Sequence, residues 1–137
     1  MTILLDTNII LDILLPNPGF YKESGDVVSM ADSGKYEFYI SASAVTDIYY
    51  LVRKAFQDTD KTKQVIRKLL KIVSVAGVDE NCILSALDCS WTDFEDSVQY
   101  EVAQQLKADY IVTRNTKDYK LSSITVITPE EFLSLPK

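Results

Sequence analysis

The chain has 137 residues, of which 47% are hydrophobic, and only four are glycine and four proline. This size and composition predict one well-packed globular domain over residues 1–137 and exclude a disordered or repeat protein. The chain contains no histidine. Ser–His and Cys–His nucleophilic schemes are therefore excluded, as is cleavage of RNA by a pair of histidines.

The first residues are apolar, but their pattern is not that of a targeting segment. Residues 1–15 are interrupted by Asp6 and Asp12 and include no basic leader, so we expect neither a signal peptide nor a membrane span. Cys82 and Cys89 are seven residues apart, a spacing that matches no metal or redox motif. We expect both thiols to be reduced and at least partly buried, in a cytoplasmic protein without membrane association.

Short apolar runs alternate with stretches of helical periodicity along the chain. The runs predict strands over residues 2–5, 37–40, 73–75, 110–112 and 125–127. The periodic stretches predict helices over residues 7–14, 20–33, 43–56, 59–72, 79–88 and 94–106, and a last helix from residue 129. Strands separated by helices indicate a short, mostly parallel sheet covered on both faces, which is a three-layer α/β/α domain.

Local signals mark the ends of several of these helices. Ser41 or Ser43 is a suitable cap for the third helix, and Asp93 for the long helix that follows it. The long helix has Phe94, Val98, Val102 and Leu106 on one predicted apolar stripe. Gly34 ends the second helix, and Pro129 begins the last one.

Acidic residues stand where predicted elements start, end or turn. Asp6 follows the first strand, Asp47 lies in the third helix, Asp96 opens the long helix, and Asp118 follows the fourth strand. In parallel sheets the functional crevice lies beyond the carboxyl ends of the strands, so Asp6 and the loop of residues 113–118 should meet there. Grouped carboxylates either take up protons or bind cations, and hard divalent ions prefer such oxygen ligands.

Basic residues are concentrated in one segment. Residues 53–71 contain seven of the 14 lysines and arginines and only two acids. One interpretation is a solvated helix face, with Val65, Leu69 and Ile72 turned inward. The other is a phosphate-binding patch beside the acidic site, and the two are compatible. The outward basic side chains would be Lys63, Arg67 and Lys71.

These motifs together resemble those of PIN-domain nucleases, and among them the VapC-like toxin ribonucleases of bacterial toxin–antitoxin pairs. The resemblance covers the whole chain, in the order and spacing of the family. Its motifs are Ile3-Leu4-Leu5-Asp6-Thr7-Asn8, an acid in the third helix, Asp93-Phe94-Glu95-Asp96, and the stretch from Ile111 to Tyr119 that includes Thr113-Arg114-Asn115-Thr116-Lys117-Asp118.

The resemblance implies a metal-dependent endoribonuclease that hydrolyses RNA phosphodiesters through a metal-activated water. One or two Mg²⁺ or Mn²⁺ ions would be held by Asp6, Asp96 and Asp118, with Asp47 as a further catalytic acid. Neighbouring polar groups would orient these ligands, and Arg114 would grip substrate phosphate or form a surface salt bridge. The orienting residues are Asn8, Asp93, Thr113 and Asn115. The implied partners are RNA, a small antitoxin protein and a second copy of the chain.

Two positions depart from the family pattern. The family usually has glutamate where this chain has Asp47, and many relatives have aspartate where it has Asn115. These departures leave open a catalytically weak or inactive PIN-fold module that binds RNA or protein. A phosphatase with an aspartyl nucleophile would need an acid at position 8, which is asparagine. The acid order of a phospho-acceptor receiver domain is not seen either.

Overall fold

A computed structural model of the chain describes residues 1–136. It contains five strands, β1 to β5, and seven helices, α1 to α7, within those residues. The strands are β1 (Thr2–Leu5), β2 (Glu37–Ser41), β3 (Ser74–Ala76), β4 (Tyr110–Val112) and β5 (Thr125–Ile127). The helices are α1 (Thr7–Leu14), α2 (Tyr21–Ser29), α3 (Ala42–Phe56), α4 (Thr59–Leu69), α5 (Glu80–Asp88), α6 (Phe94–Leu106) and α7 (Pro129–Leu133).

All four strand pairings are parallel, and the strand order is β3-β2-β1-β4-β5. The chain builds the sheet outward from β1 to β3, then returns to the other side of β1 to form β4 and β5. The order therefore reverses between β1 and β4. Parallel α/β sheets bind ligands beyond the carboxyl ends of their strands at such a reversal.

Helices cover both faces of the sheet, as the alternation of side chains along β1 shows. Ile3 and Leu5 lie in one buried cluster with residues of α1, α2, α3, α4 and α7, whereas Leu4 lies in a second cluster with residues of α5 and α6. Successive residues of a strand point to opposite faces, so an entirely apolar strand requires cover on both sides. The predicted three-layer α/β/α fold is confirmed, with a sheet that is wholly parallel.

Caps that were predicted from sequence begin two of the helices. The Ser41 side chain accepts a hydrogen bond from the Ala44 backbone N–H, and the Asp93 side chain accepts one from the backbone N–H of Asp96. Gly34 adopts a left-handed conformation, with φ of 76°, after a short 3-10 turn that follows α2. The predicted second helix is therefore an α-helix of nine residues with a 3-10 extension.

Two predicted packing patterns are wrong in detail. Helix α4 ends at Leu69 and buries Thr62, Ile66 and Leu69, whereas Ile72 is exposed. The chain has to turn into β3 at this point, and Val73 takes the buried place. Phe94 does not pack inward with the rest of the predicted stripe of α6. It stands in the first turn of the helix, where it is exposed and lines a surface groove.

The two cysteines are free, with Cys82 buried and Cys89 half-buried. Among residues 1–136, no helix has the length and apolar character needed to cross a membrane.

Candidate active site

Asp6 stands at the reversal of strand order, directly after β1. Its backbone N–H donates to the Val112 carbonyl at 3.0 Å, which ties it to the end of β4. It is also the cap of α1, with extended backbone angles and its side chain accepting from the Thr7 N–H. The side chain is 7% exposed. The fold therefore places a buried carboxylate at the edge where parallel sheets bind ligands.

Four neutral donors surround the Asp6 carboxylate. Oδ1 accepts from the Thr7 backbone N–H at 2.7 Å and from Gln99 Nε2 at 2.8 Å. Oδ2 accepts from Thr113 Oγ1 at 2.7 Å and, at 3.4 Å, from Asn8 Nδ2. Burial raises the pKa of Asp6, and the hydrogen bonds from Thr113 and Thr7 partly oppose that rise. The donors fix the orientation of the carboxylate without adding a positive charge.

Asp96 faces Asp6 from the first turn of α6. Burial and the negative charges of Asp6, Asp93, Asp118 and Glu95 raise its pKa to about 7. A carboxyl with this pKa is half protonated near neutral pH. The site is thus an unbalanced concentration of negative charge, which is the condition under which carboxylates recruit a cation.

Asp47 and Glu95 form the outer part of the same site. They line an open groove of about 380 Å³ that extends from Asp6 along the middle of α3 and the first two turns of α6. The Asp47 charge is the main cause of a raised Glu95 pKa, and burial adds to it. We call this feature the acidic groove, and its lining residues are Asp6, Thr7, Asp47, Tyr50, Leu51, Glu95, Asp96 and Gln99.

The loop after β4 carries Asp118 to the site. Thr113 is buried, and its hydroxyl accepts from the Asn115 backbone N–H at 3.1 Å while donating to Asp6. Asn8 Oδ1 accepts from the Arg114 backbone N–H at 3.3 Å. Asp118 lies in the 3-10 turn that follows, close enough for its charge to raise the pKa values of Asp6 and Asp96. The structure therefore brings the predicted orienting residues Asn8 and Thr113 into contact with Asp6.

Arg114 is engaged with α1 and with the residue before α2. Its Nε donates to the Asp12 carboxylate at 2.8 Å, and its guanidinium lies 4.2 Å from the centroid of the Phe20 ring. Asp12 is 2% exposed and also accepts from Ser24 Oγ at 3.1 Å. The salt bridge that the sequence offered as one role for Arg114 is present, and its partner is buried. Phosphate binding by the remaining N–H groups stays a prediction.

The basic helix face lies apart from these cavities. Lys63, Arg67 and Lys71 are all exposed along and just after α4. None of them lines the acidic groove. A role in substrate binding requires an RNA long enough to extend from the groove to α4, and it stays a prediction.

The donor set of the site fits a hard divalent ion. Two buried polar atoms beside Asp6 have no assigned hydrogen-bond partner among residues 1–136, namely Gln99 Oε1 and the Tyr119 hydroxyl, which is close enough to Asp6 to influence its pKa. Orphaned oxygens beside grouped carboxylates suit an ion with its water shell. Within the described residues no three acidic or sulfur-containing side chains are already close enough to hold an ion together.

Sequence reasoning missed Gln99, Glu95 and Tyr119. A helical signal was available for Gln99, since it stands three residues after Asp96 and so shares a face of α6 with it. Glu95 belongs to the quoted motif but was given no role. Tyr119 follows Asp118, and its ring is buried under the site. No local pattern indicates that placement.

Comparison with known families identifies the family to which the chain belongs. A sequence model of the PIN domain family matches residues 2–117. The chain therefore belongs to the PIN domain family, which confirms the resemblance found in its motifs. A comparison with curated protein sequences gives no match.

Three solved structures have a similar fold. VapBC2 from Rickettsia felis, bound to a DNA fragment from its promoter, is 16% identical with a TM-score of 0.71, over 93% of this chain and 98% of that one. VapBC-1 from nontypeable Haemophilus influenzae is 18% identical with a TM-score of 0.70, over 95% and 99%. VapC20 from Mycobacterium tuberculosis, a Sarcin-Ricin loop cleaving toxin, is 13% identical with a TM-score of 0.61, over 80% and 86%.

Proposed function

We propose that this chain is a divalent-metal-dependent endoribonuclease and the toxin of a toxin–antitoxin pair. The observation that carries the proposal is the buried, donor-bound Asp6 facing Asp96 at the reversal point of the sheet. A structural carboxylate needs only enough partners to satisfy it. This one lies among further acids that raise one another's pKa values, an arrangement that costs stability unless a cation is bound.

Asp6, Asp96 and Asp118 are the residues that would hold Mg²⁺ or Mn²⁺. Two carboxylates about 5 Å apart repel by about 3 kcal/mol at an effective dielectric constant of about 20, so a bound cation relieves a substantial cost. When bound, the ion supplies Lewis acidity toward a phosphodiester and lowers the pKa of water.

The chain's own residues do the positioning. Gln99, Thr113 and Thr7 hold the Asp6 carboxylate in one orientation through three short hydrogen bonds. Asp47 and Glu95 line the outer wall of the groove, where they would accept a proton from a water molecule or bind a second cation. Because Asp47 is one methylene shorter than glutamate, its contact with an ion would run through water.

The partners follow from the same groove. The RNA strand would enter along the acidic groove, and an antitoxin would compete for it by inserting a basic side chain between Asp47 and Asp96. Proteins with this fold are seen as VapBC complexes, one of them on promoter DNA. We place this chain in the cytoplasm with such a partner.

A cleavage assay tests the proposal. Purified protein should cut a mixed-sequence RNA only when Mg²⁺ or Mn²⁺ is added, leaving a 5′-phosphate and a 3′-hydroxyl. Asp6→Asn and Asp96→Asn should each lose activity by at least about a hundredfold, since each removes a charge that the ion needs. Asp32→Asn, at an exposed acid on the 3-10 turn after α2, is the matched control.

The competing function is a PIN-fold module that binds RNA or protein without cutting. Retention of cleavage in both site variants would overturn the metal assignment. Metal-dependent RNA binding with no cleavage by the wild-type protein would instead support the binding module.

A further inference from the structure

A second cleft opens beside Asp96, on the side of the β4–β5 loop. Its volume is about 320 Å³, which suits a ligand of nucleotide size. Asp96 lines both this cleft and the acidic groove, so the two are adjacent. We call it the Trp91 cleft, and the side chains that matter here are Trp91, Asp93, Asp96, Lys117, Asp118 and Lys120.

Trp91 forms a rigid aromatic wall of this cleft. Its ring stacks on Tyr100, with centroids 4.9 Å apart and planes inclined by 21°, and meets the Tyr119 ring edge-on at 5.6 Å. The Tyr100 hydroxyl is hydrogen-bonded to the Oγ of Ser123 at 2.8 Å and accepts from the Ser123 backbone N–H at 3.1 Å. Trp91 is half-buried. A side chain fixed in this way loses little freedom when a flat ligand stacks on its open surface.

Two lysines give the same cleft a positive rim. Lys117 and Lys120 are exposed, and neither forms an ion pair in the part of the chain that the structure describes. They remain unpaired although Asp93, Asp96 and Asp118 line the same cleft. Their ammonium groups are therefore available to an anionic ligand.

We propose that the Trp91 cleft binds the nucleotide next to the cleaved phosphodiester. The base stacks on Trp91, and the neighbouring phosphate contacts Lys117 and Lys120. A base reaches this position only when it is unpaired, so the cleft selects single-stranded or looped RNA at this nucleotide. The inference rests on the proposed nuclease function, and it specifies one requirement of the substrate.

A cationic side chain of a protein partner is the other ligand that an aromatic wall with carboxylates would suit. The two unpaired lysines disfavour it, because an arginine in the cleft would approach both ammonium groups. The same lysines favour a phosphate. A nucleotide uses both the aromatic wall and the two lysines, whereas a basic side chain would use the wall and the carboxylates and leave the lysines unpaired.

Trp91 is the only tryptophan in the chain, so its fluorescence reports on the cleft directly. The Asp6→Asn variant, which should not cut, is titrated with a 12-nucleotide single-stranded RNA. Trp91 is excited at 295 nm and its emission is recorded. Stacking of a base predicts saturable quenching. The same RNA annealed to its complement should quench much less, and an arginine-rich peptide should not quench.

Cleavage by otherwise wild-type protein provides the second readout. Trp91→Leu should raise KM by about tenfold or more with little change in kcat, because stacking binds substrate and transition state alike. Trp91→Phe keeps an aromatic ring stacked on Tyr100, so it should raise KM by less than Trp91→Leu does. Tyr21→Leu is the matched control, at an exposed aromatic residue that lines neither cleft.

Replacing one nucleotide at a time by an abasic residue locates the base. Wild-type protein should cleave the RNA more slowly when the abasic residue stands at one position beside the cleavage point. Trp91→Leu should cleave that RNA and the intact RNA equally well. Lys117→Gln with Lys120→Gln should weaken binding of every RNA and lower its salt dependence, without moving the abasic position. If Trp91→Leu does not fold, the same comparison with wild type is made with Trp91→Phe and with the variant that lacks both lysines.

The outcomes separate this inference from the nuclease proposal. RNA binding that leaves Trp91 emission unchanged, or an abasic profile identical in wild type and Trp91→Leu, overturns the nucleotide cleft even if the protein cuts RNA. Quenching by the peptide alone assigns the cleft to a protein partner and also overturns it. Quenching by RNA without cleavage supports the cleft and counts against the nuclease.

Discussion

At the scale of single residues, Asp6 and Asp96 lie in different environments within the same site. Asp6 is buried but receives hydrogen bonds from Thr7, Gln99 and Thr113. Asp96 is half-buried and has negative neighbours, so its pKa rises to about 7. One carboxylate is therefore fixed in place, while the charge of the other depends on pH and on a bound cation.

Asp96→Asn should stabilise the metal-free protein at high pH. Because the pKa of Asp96 is raised on folding, the folded state holds an extra proton between about pH 4 and pH 7, and its stability falls as pH rises through that window. We expect a gain of about 1–2 kcal/mol at pH 8, a value already reduced for solvent screening of a half-exposed group. Thermal melts in EDTA at pH 8 and pH 4.5 should show a difference at pH 8 that nearly disappears at pH 4.5. An equal difference at both would refute the assigned cause.

Asp47 tests the outer wall of the groove. If its short side chain limits contact with an ion, Asp47→Glu should keep or raise activity, and Asp47→Ala should lower it by about tenfold or more, as expected for loss of a general base. Steady-state cleavage rates with saturating Mg²⁺ are the measurement. An Ala variant as active as wild type would show that Asp47 is an ordinary surface acid of α3.

At the scale of elements, the loop after β4 is attached to α1 by a buried charge. Arg114 bonds Asp12, stacks on Phe20, and stands in the chain between Thr113 and Asn115. Its neighbours contact Asp6 directly or through one hydrogen bond. The ion pair thus holds the segment that delivers Asp118 to the site.

Breaking this pair should cost far more than breaking an exposed one. Asp12→Ala leaves a largely buried guanidinium unpaired, so we expect a loss of about 2–3 kcal/mol in the free energy of unfolding. Asp26→Ala, which removes the exposed pair with Lys22, should cost less than about 0.5 kcal/mol. Urea unfolding is the measurement. Wild type, Asp12→Ala, Arg114→Ala and the variant with both changes form a double-mutant cycle. Additive losses in that cycle would mean that the two residues act independently.

The elements were predictable because their signals are local. The apolar run of β1, the caps Ser41 and Asp93, and Pro129 at the start of α7 each act within a few residues. The fine structure of the site was not predictable in this way. Gln99 reaches Asp6 across 93 residues, and Arg114 reaches Asp12 across 102. Such contacts depend on how the helices pack, and a single sequence does not encode them in any short pattern.

At the scale of the whole molecule, the proposed function requires an acidic protein to bind a polyanion. The chain has a net charge of −6, and its basic residues are concentrated in residues 53–71. RNA affinity should therefore fall steeply with added monovalent salt, because each phosphate contact releases counterions. Changing Lys63, Arg67 and Lys71 to glutamine should weaken binding of all sequences and reduce the salt slope by about two to three, with the cleavage position unchanged. Filter binding across a salt series measures the RNA affinity and its salt dependence. An unaltered slope would mean that the basic residues of α4 only face solvent and do not contact RNA.

An exposed apolar surface on α3 bears on assembly. Tyr50 is 71% exposed and Leu51 46%, and both line the acidic groove with Asp47 on the same helix. Exposed apolar patches of this kind mark interaction sites, and we expect a two-fold homodimer whose interface borders the groove. Light scattering that gives a monomer mass at high protein concentration would count against it.

The most direct test of the account is whether Asp6 and Asp96 bind the same ion. Titration calorimetry with Mn²⁺ should show binding to the wild-type protein and to Asp32→Asn, and in both Mn²⁺ should raise the Tm because it binds only the folded state. Asp6→Asn and Asp96→Asn should each lose the heat of binding and the rise in Tm while remaining folded. If either variant binds Mn²⁺ as tightly as wild type, that carboxylate is not a ligand and the proposed metal site is wrong.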